Sequence, residues 1–156
     1  MKVLKSLEEG FTIVELVTVL GILTIMAAMI LPLAPLLSRY NLDGAARGLV
    51  GDLRMVRQKA INTGIAGSVN FRINEDRYQV RPPEESRYFV NLPQGVHFEG
   101  VTTFPGSPPS ISFNKMGRPS SGGTVVLKSS AGEMRFVIVL PVTGRIRISR
   151  DPPQNW

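Results

Sequence analysis

The sequence predicts an α+β protein in which a long N-terminal helix packs on an antiparallel β-sheet. Two observations lead to this prediction. Apolar residues first form a nearly continuous run and then recur at helical spacing as far as residue 61. From residue 67 onwards, short runs of alternating apolar and polar residues are separated by Gly and Pro. We therefore divide the chain into segments 1–10, 11–37, 38–66 and 67–156, the last being a β-rich globular domain.

The stretch from Phe11 to Leu31 contains 21 residues and one formal charge, that of Glu15. As a helix it is roughly 30 Å long, about the thickness of the hydrocarbon layer of a membrane. We therefore expect 11–37 to contain a transmembrane helix. A carboxylate within such a helix costs on the order of 3 kcal/mol, so we expect Glu15 to be functional.

The residues around the start of this stretch carry a resemblance. Lys2 and Lys5 in a short leader, Gly10, Phe11 and then Glu15 before the apolar run resemble the class III signal of type IV pilins and type II secretion pseudopilins. The resemblance implies that a prepilin peptidase cuts between Gly10 and Phe11 and methylates the new amine of Phe11. It also implies that Glu15 neutralises the amine of a neighbouring subunit during filament assembly, since opposite charges compensate each other in apolar surroundings.

Two other interpretations of the N-terminus compete with this one. An ordinary secretory signal has an apolar region of about 7–15 residues without a charge, followed by a small-residue cleavage site. The present run is longer and holds Glu15. A plain membrane anchor accounts for the length but not for the combination of Gly10, Phe11 and Glu15, so the pilin-like interpretation is favoured.

Lys2 and Lys5 precede the apolar run and predict a cytoplasmic N-terminus. With the resemblance, this implies a single-pass protein of the bacterial inner membrane, with a periplasmic C-terminal domain that later enters a pilus or pseudopilus. The chain has no cysteine and one histidine, His97. Disulfides and multi-histidine metal sites are thereby excluded, and no motif indicates an enzyme, a catalytic residue or a cofactor.

The second half of the helix is amphipathic. Pro32 and Pro35 predict a kink in a helix that continues, the alternative being a helix that stops at the membrane surface. Gly64 marks the predicted end. Three glycines within the helix, Gly44, Gly48 and Gly51, are expected to allow close packing against neighbours. The apolar face is Leu42, Ala46, Leu49, Leu53, Val56 and Ala60, and the opposite, polar face is Arg47, Asp52, Arg54, Arg57 and Lys59.

Alternation and turn residues predict a series of short strands. The aromatic residues at inward positions, expected in the core, are Phe71, Tyr78, Phe113 and Phe136, whereas Tyr88 and Trp156 could be exposed. The predicted strands are 68–73, 78–81, 88–92, 96–99, 111–114, 124–128, 133–140 and 145–149. Loops are expected at 81–86, 105–109 and 117–123.

Several C-terminal segments narrow the resemblance to one group of these subunits. They are Ile111–Asn114 with Gly117, Gly122–Leu127, Phe136–Val139 and Thr143–Ile146. They resemble the GspH/FimT group of minor pseudopilins and minor pilins. The resemblance implies a structural subunit that primes or caps a short filament in type II secretion or in the related pilus machinery. The implied partners are other pilin-like subunits, the prepilin peptidase and the inner membrane.

Gly144-Arg145-Ile146-Arg147 also resembles the Gly-Arg-x-Arg motif of minor pilins that bind DNA during natural transformation. On a strand, Arg145 and Arg147 would share one face while Ile146 and Ile148 point to the core. From Ile111 onwards there are seven basic and two acidic residues, a balance suited to phosphates. The candidate DNA-binding residues are Lys115, Arg118, Arg145, Arg147 and Arg150.

The same arginines are compatible with roles that do not involve DNA. Exposed arginines are typical of a solvated edge strand, where charges also discourage aggregation. A basic face can also meet anionic lipid headgroups or an acidic partner subunit. DNA binding for uptake is therefore the alternative function, and assembly into a filament is the leading one.

Overall fold

The computed structural model describes residues 11–30 and 33–153 of the 156-residue chain. It divides into two compact units, 1–36 and 37–156. The predicted leader with Gly10, as well as Pro32 and Trp156, lie outside the described residues. The expectations for these residues stay predictions.

The first unit contains helix α1, Ile13–Ile30. Thr12 caps its N-terminus, because the Thr12 Oγ1 accepts a hydrogen bond from the amide of Glu15 at 3.2 Å. Thr12 and Glu15 have the spacing of a capping box, which stabilises the first turn of a helix. Within residues 11–30 and 33–153, no helix is both long and apolar enough to cross a membrane.

Helix α2 runs over Leu33–Thr63. Pro35 is its third residue, in the first turn, where a missing amide removes no intrahelical hydrogen bond. At the other end Gly64 has a φ of +72°, and its amide reaches the carbonyl of Ala60 at 3.1 Å. This left-handed glycine confirms the predicted helix end.

Eight strands follow, all paired antiparallel. They are β1 Gly67–Arg72, β2 Arg77–Arg81, β3 Tyr88–Asn91, β4 Val96–Thr102, β5 Ser110–Phe113, β6 Gly123–Ser129, β7 Met134–Val139 and β8 Ile146–Ser149. Each predicted strand is thus confirmed to within a few residues. They form two four-stranded sheets, here called sheet A (β3-β2-β1-β5) and sheet B (β4-β6-β7-β8). The expectation of one sheet was wrong, because alternation shows that a strand exists but not which strand it pairs with.

One hydrophobic core joins α2 and both sheets. The ring of Phe71, from sheet A, lies 6.2 Å from that of Phe98 in sheet B and 5.7 Å from that of Phe104. The buried stripe of α2 is Leu42, Ala45, Ala46, Leu49, Val50, Leu53, Val56 and Ala60. The predicted apolar face is therefore confirmed, and Ala45 and Val50 widen it.

Charged residues of α2 bond both sheets at the rim of this core. The Tyr78 hydroxyl of β2 donates to the Asp52 carboxylate at 2.6 Å. The Arg135 Nε of β7 donates to Asp43, also at 2.6 Å. A third link joins β4 of sheet B to the turn between β1 and β2 of sheet A, since the amide of Phe98 donates to the Asp76 carboxylate at 2.9 Å. These bonds fix the rotation of α2 and the spacing of the sheets.

Other side chains depart from the predicted arrangement. Phe136 is buried, but its register with Val126 places it on the face of sheet B opposite to that of Arg135 and Val137. Ile148 is 38% exposed rather than part of the core, because β8 is the last strand of its sheet. Tyr88 is exposed, as expected.

The three glycines of α2 have no close packing partner in the described part of the chain. A methyl group added at Gly44, Gly48 or Gly51 would meet no heavy atom of the described residues within 4 Å, apart from the adjoining backbone of α2. All three residues are exposed. Close packing inside the domain therefore does not account for them.

We predict that Gly48→Ala stabilises the domain. Alanine lowers the backbone entropy of the unfolded chain and favours the helix by about 1 kcal/mol relative to glycine. Urea unfolding of residues 37–156 measures the effect. Gly67→Ala is the matched control, since its new methyl would lie 2.6 Å from the Val56 side chain. Destabilisation by Gly48→Ala would show that this helix face has a contact inside the domain.

We also predict a loss of stability at high pH that depends on Tyr78. Burial and the hydrogen bond to Asp52 raise the pKa of Tyr78 far above its ordinary value. Above about pH 10 the unfolded chain releases this proton while the folded chain retains it, so the free energy of unfolding falls by up to about 1.4 kcal/mol per pH unit. Tyr78→Phe should flatten this slope in urea unfolding between about pH 9 and about pH 11. Equal slopes in both proteins would contradict the prediction.

Candidate functional sites on the first helix and the last strand

The first candidate site is the start of α1. Phe11 is 80% exposed and precedes the cap residue Thr12, and Glu15 is exposed in the first turn of the helix. In the part of the chain that the structure describes, no side chain bonds or pairs with the Glu15 carboxylate. A negative charge in the first turn is favoured by the helix dipole. The helix therefore stabilises the carboxylate without supplying a cationic side chain to pair with it.

The other polar side chains of α1 bond within the helix. The hydroxyl of Thr18 donates to the carbonyl of Val14, and that of Thr24 donates to the carbonyl of Leu20, each at 2.7 Å. Such bonds let threonine face apolar surroundings. Within Ile13–Ala28, the Glu15 carboxylate is therefore the one polar side-chain group whose polar partner would have to come from outside α1.

Apolar side chains are exposed all around α1. The large ones are Ile13, Val14, Leu16, Val17, Val19, Leu20, Ile22, Leu23, Ile25 and Met26. A helix that is apolar on every side needs lipid or other helices around it. This surface can therefore pack against similar helices of other subunits, and the Glu15 carboxylate can pair with a cationic group on such a helix.

The second candidate site is the turn before β8. Gly144 has a φ of +62° and is buried, and a methyl group there would lie 2.9 Å from the carbonyl oxygen of Gly117. The guanidinium of Arg57 holds both turns, because its Nε donates to the Gly117 carbonyl at 2.9 Å and its terminal nitrogen donates to the Thr143 carbonyl at 3.1 Å. The fold therefore accounts for the glycine of the Gly-Arg-x-Arg sequence independently of DNA binding.

This architecture separates the candidate DNA-binding residues. All five are exposed. Lys115 and Arg118 belong to the turn around Gly117, which contacts Gly144 and so lies beside Arg145. Arg150 follows the far end of β8 and lines a pocket with two acids, Asp43 and Glu133. The five cations predicted as one patch therefore do not all lie together. Lys115, Arg118 and Arg145 form one group, Arg147 is on β8, and Arg150 lies beyond that strand.

Arg54 and Arg57 were placed on the solvated face of α2 by the sequence pattern, which missed their roles. Besides the bonds of Arg57, a terminal nitrogen of Arg54 donates to the carbonyl of Ile146 at 3.2 Å. Helical spacing gave the correct side of α2 for both residues. It could not show that chain segments 60 to 92 residues later would supply acceptors there, because those contacts depend on the tertiary fold.

We predict that Gly144→Ala destabilises the domain by at least about 2 kcal/mol, from backbone strain and the contact with Gly117. Gly132→Ala is the matched control, since Gly132 also has a positive φ, +86°, but a methyl group there meets nothing within 4 Å among the described residues. Urea unfolding of residues 37–156 compares the two variants. An equal or larger loss for Gly132→Ala would refute the role given to the contact.

Comparisons with known proteins agree with this fold. The minor pseudopilin EpsH of the type 2 secretion system of Vibrio cholerae superposes with a TM-score of 0.56 at 13% identity, over 70% of this chain and 96% of EpsH. The type IV minor pilin FimU of Pseudomonas aeruginosa PAO1 gives a TM-score of 0.57 at 14% identity, over 71% of this chain and 90% of FimU. A second crystal form of FimU gives 0.53. The chain has no match among curated proteins.

A family model matches residues 45–144, which is most of the domain. These residues include the buried stripe of α2 from Ala45 onwards, strands β1 to β7 and the turn at Gly144. The α+β pilin-like architecture expected from the sequence is thereby confirmed, and so is the expectation of a structural subunit rather than an enzyme. The chain belongs to the family of the type II transport protein GspH.

Proposed function

We propose that this chain is a minor subunit that primes or caps a pilus-like filament, with type II secretion as the leading setting. The observation that carries the proposal is α1, an apolar helix with one carboxylate that finds no partner among the described residues. Family membership supports the same role. EpsH and FimU match about equally well, so the fold fits both secretion and pilus systems, and the family model is what favours secretion.

The proposed mechanism begins with processing of the leader. Cleavage between Gly10 and Phe11 by a prepilin peptidase would create a cationic amine on Phe11, which the same enzyme would methylate. Phe11 lies next to the cap residue Thr12, so this amine would stand at the start of α1, one turn from Glu15. The Glu15 carboxylate of one subunit would then compensate the amine of its neighbour, since each charge is costly in apolar surroundings and tolerable when paired.

The proposed location before assembly is the bacterial inner membrane. The full apolar run, 11–31, has the length of a single span, and Lys2 and Lys5 favour a cytoplasmic N-terminus. The internal hydrogen bonds of Thr18 and Thr24 support an apolar environment for this run. The domain 37–156 would then face the periplasm, and the partners would be other pilin-like subunits.

We predict that Glu15→Ala inserts into the membrane and is cleaved but fails to enter filaments, because the neighbour's amine has no counter-charge. Cleavage is measured as a mass shift, and incorporation by immunoblotting of sheared filaments. Glu8→Ala is the matched control, since cleavage after Gly10 would remove residue 8. Normal incorporation of Glu15→Ala would remove this role from Glu15. Failure of both variants to be cleaved would contradict the proposed processing.

DNA binding in uptake is the second candidate function. The observation in its favour is that Arg145 and Arg147 are exposed and that the two cations of the Gly117 turn lie beside Arg145, while no acid pairs with Arg145 or Arg147 among the described residues. Arg145 and those two cations could hold backbone phosphates without reading sequence. Against this, Gly144 is accounted for by its contact with Gly117, which leaves two arginines of the motif to support DNA binding.

A mobility-shift assay with residues 38–156 tests the second candidate. If it holds, Arg145→Ala with Arg147→Ala weakens binding and flattens the dependence on salt by about one unit per lost phosphate contact. Arg39→Ala with Arg47→Ala changes the net charge equally on α2 and serves as control. Binding that both double variants reduce equally, or that ignores salt, would discard the DNA function.

A further inference from the structure

A second basic surface lies on sheet A, on the face turned away from the core. Val69, Phe71, Tyr78 and Val80 are buried on the inner face, so the residues between them point outwards. Cross-strand register pairs Arg72 with Arg77 and Ser68 with Arg81. Three guanidinium groups therefore share the outer face, and we call Arg72, Arg77 and Arg81 the sheet A basic face.

The pairing of Arg72 with Arg77 is unfavourable by itself, because like charges directly opposite each other destabilise a sheet. Glu75, in the turn between β1 and β2, compensates for it. Its carboxylate accepts a hydrogen bond from Arg72 at 2.9 Å and also pairs with Arg77. The hydrogen bond from Arg72 lowers the pKa of Glu75, and Arg77 acts in the same direction. One internal carboxylate thus already occupies part of this face.

The charge of the face is not balanced by that one acid. In the described residues, no other acid bonds Arg72, Arg77 or Arg81. Arg81 instead donates to the neutral Gln79 side chain at 3.1 Å. The Nε of Arg77 is buried and has no hydrogen-bond partner in the described part of the chain. The arginine side chains at 72 and 77 remain 40% and 35% exposed, so they can still bind a ligand.

The shape beside the cluster is concave. A cavity of about 380 Å³ is lined by Phe71, by the segment Arg72–Glu75 and by Ser107–Pro109. Of the three arginines of the sheet A basic face, Arg72 lines this cavity, so a carboxylate side chain entering it would reach Arg72 beside Glu75. Bidentate arginine–carboxylate pairs are among the stronger polar contacts in proteins.

An exposed aromatic residue on this face helps to decide between kinds of anionic partner. The guanidinium groups of Arg72 and Arg77 lie over the ring of Phe89, 5.4 and 4.7 Å from its centroid. Proteins that bind single-stranded nucleic acid need open aromatic faces on which bases stack. Here the guanidinium groups of the two arginines cover the face of the Phe89 ring, which favours recognition of carboxylates over recognition of nucleobases.

We propose that the sheet A basic face docks an acidic, carboxylate-rich segment of a partner protein subunit, with its carboxylates on Arg72, Arg77 and Arg81. The basis is charge complementarity with a face that carries three guanidinium groups and one acid, since charged surfaces select partners and speed their association. The inference rests on the proposed filament function, in which partner subunits are needed, and adds the chemistry of one contact. It concerns a surface distinct from α1 and from β8.

The test uses full-length protein in detergent and fluorescence anisotropy of a labelled peptide of alternating Glu and Ser. A peptide of alternating Lys and Ser and a single-stranded oligothymidylate serve as comparison probes. The test variant carries Arg72→Gln, Arg77→Gln and Arg81→Gln. The matched control carries Arg39→Gln, Arg47→Gln and Lys128→Gln, which remove the same charge from α2 and sheet B.

We expect the Glu/Ser peptide to bind the wild-type protein more tightly than either comparison probe, with an affinity that falls as salt increases. The test variant should lose at least about tenfold in affinity and the control less than about twofold. Circular dichroism confirms that both variants fold. Equal losses in the two variants, absence of peptide binding, or tighter binding of oligothymidylate would overturn the proposal. Because the assay needs no filament, those results leave the role of Glu15 in assembly to be judged separately.

Discussion

The fold of residues 37–156 depends on burying one stripe of α2 under two sheets at once. Leu42, Leu49 and Leu53 are fully buried in this stripe, and each contributes about 1.5–3 kcal/mol relative to an exposed side chain. Apolar burial has no preferred direction, so the register of α2 is set by polar contacts at its rim. Asp52 bonds Tyr78 in sheet A, and Asp43 bonds Arg135 in sheet B.

The same distinction between apolar burial and polar alignment applies to α1. Its large apolar side chains are exposed, so the favourable free energy of burying them is gained when lipid or other helices surround α1. Neither environment defines an axial position along such a helix. We propose that a charge pair defines this axial position, because the Glu15 carboxylate would be compensated only where a neighbour's Phe11 amine comes within reach. In the proposed assembly, Glu15 would set the register of α1, as Asp52 and Asp43 set that of α2 in the domain.

Much of this architecture could be predicted from local sequence. Alternation located every strand, and Gly64 located the end of α2, because these signals depend on neighbouring residues. Features that depend on distant segments were not predicted. These are the division into two sheets and the position of Phe136 on the face of sheet B opposite to Val137. The role of Arg57 was missed for the same reason, since its acceptors at Gly117 and Thr143 lie 60 and 86 residues away. The basic face of sheet A was also missed, because the Arg72–Arg77 pairing follows from the hairpin register.

We propose that cleavage after Gly10 exposes an apolar N-terminal helix whose new amine and Glu15 carboxylate direct assembly. Intact-mass spectrometry of the protein purified from cells that contain their own prepilin peptidase tests it most directly. We expect a polypeptide of residues 11–156 with one added methyl group on Phe11. A mature chain that still begins at Met1, or one that has lost the whole run 11–31, would contradict it.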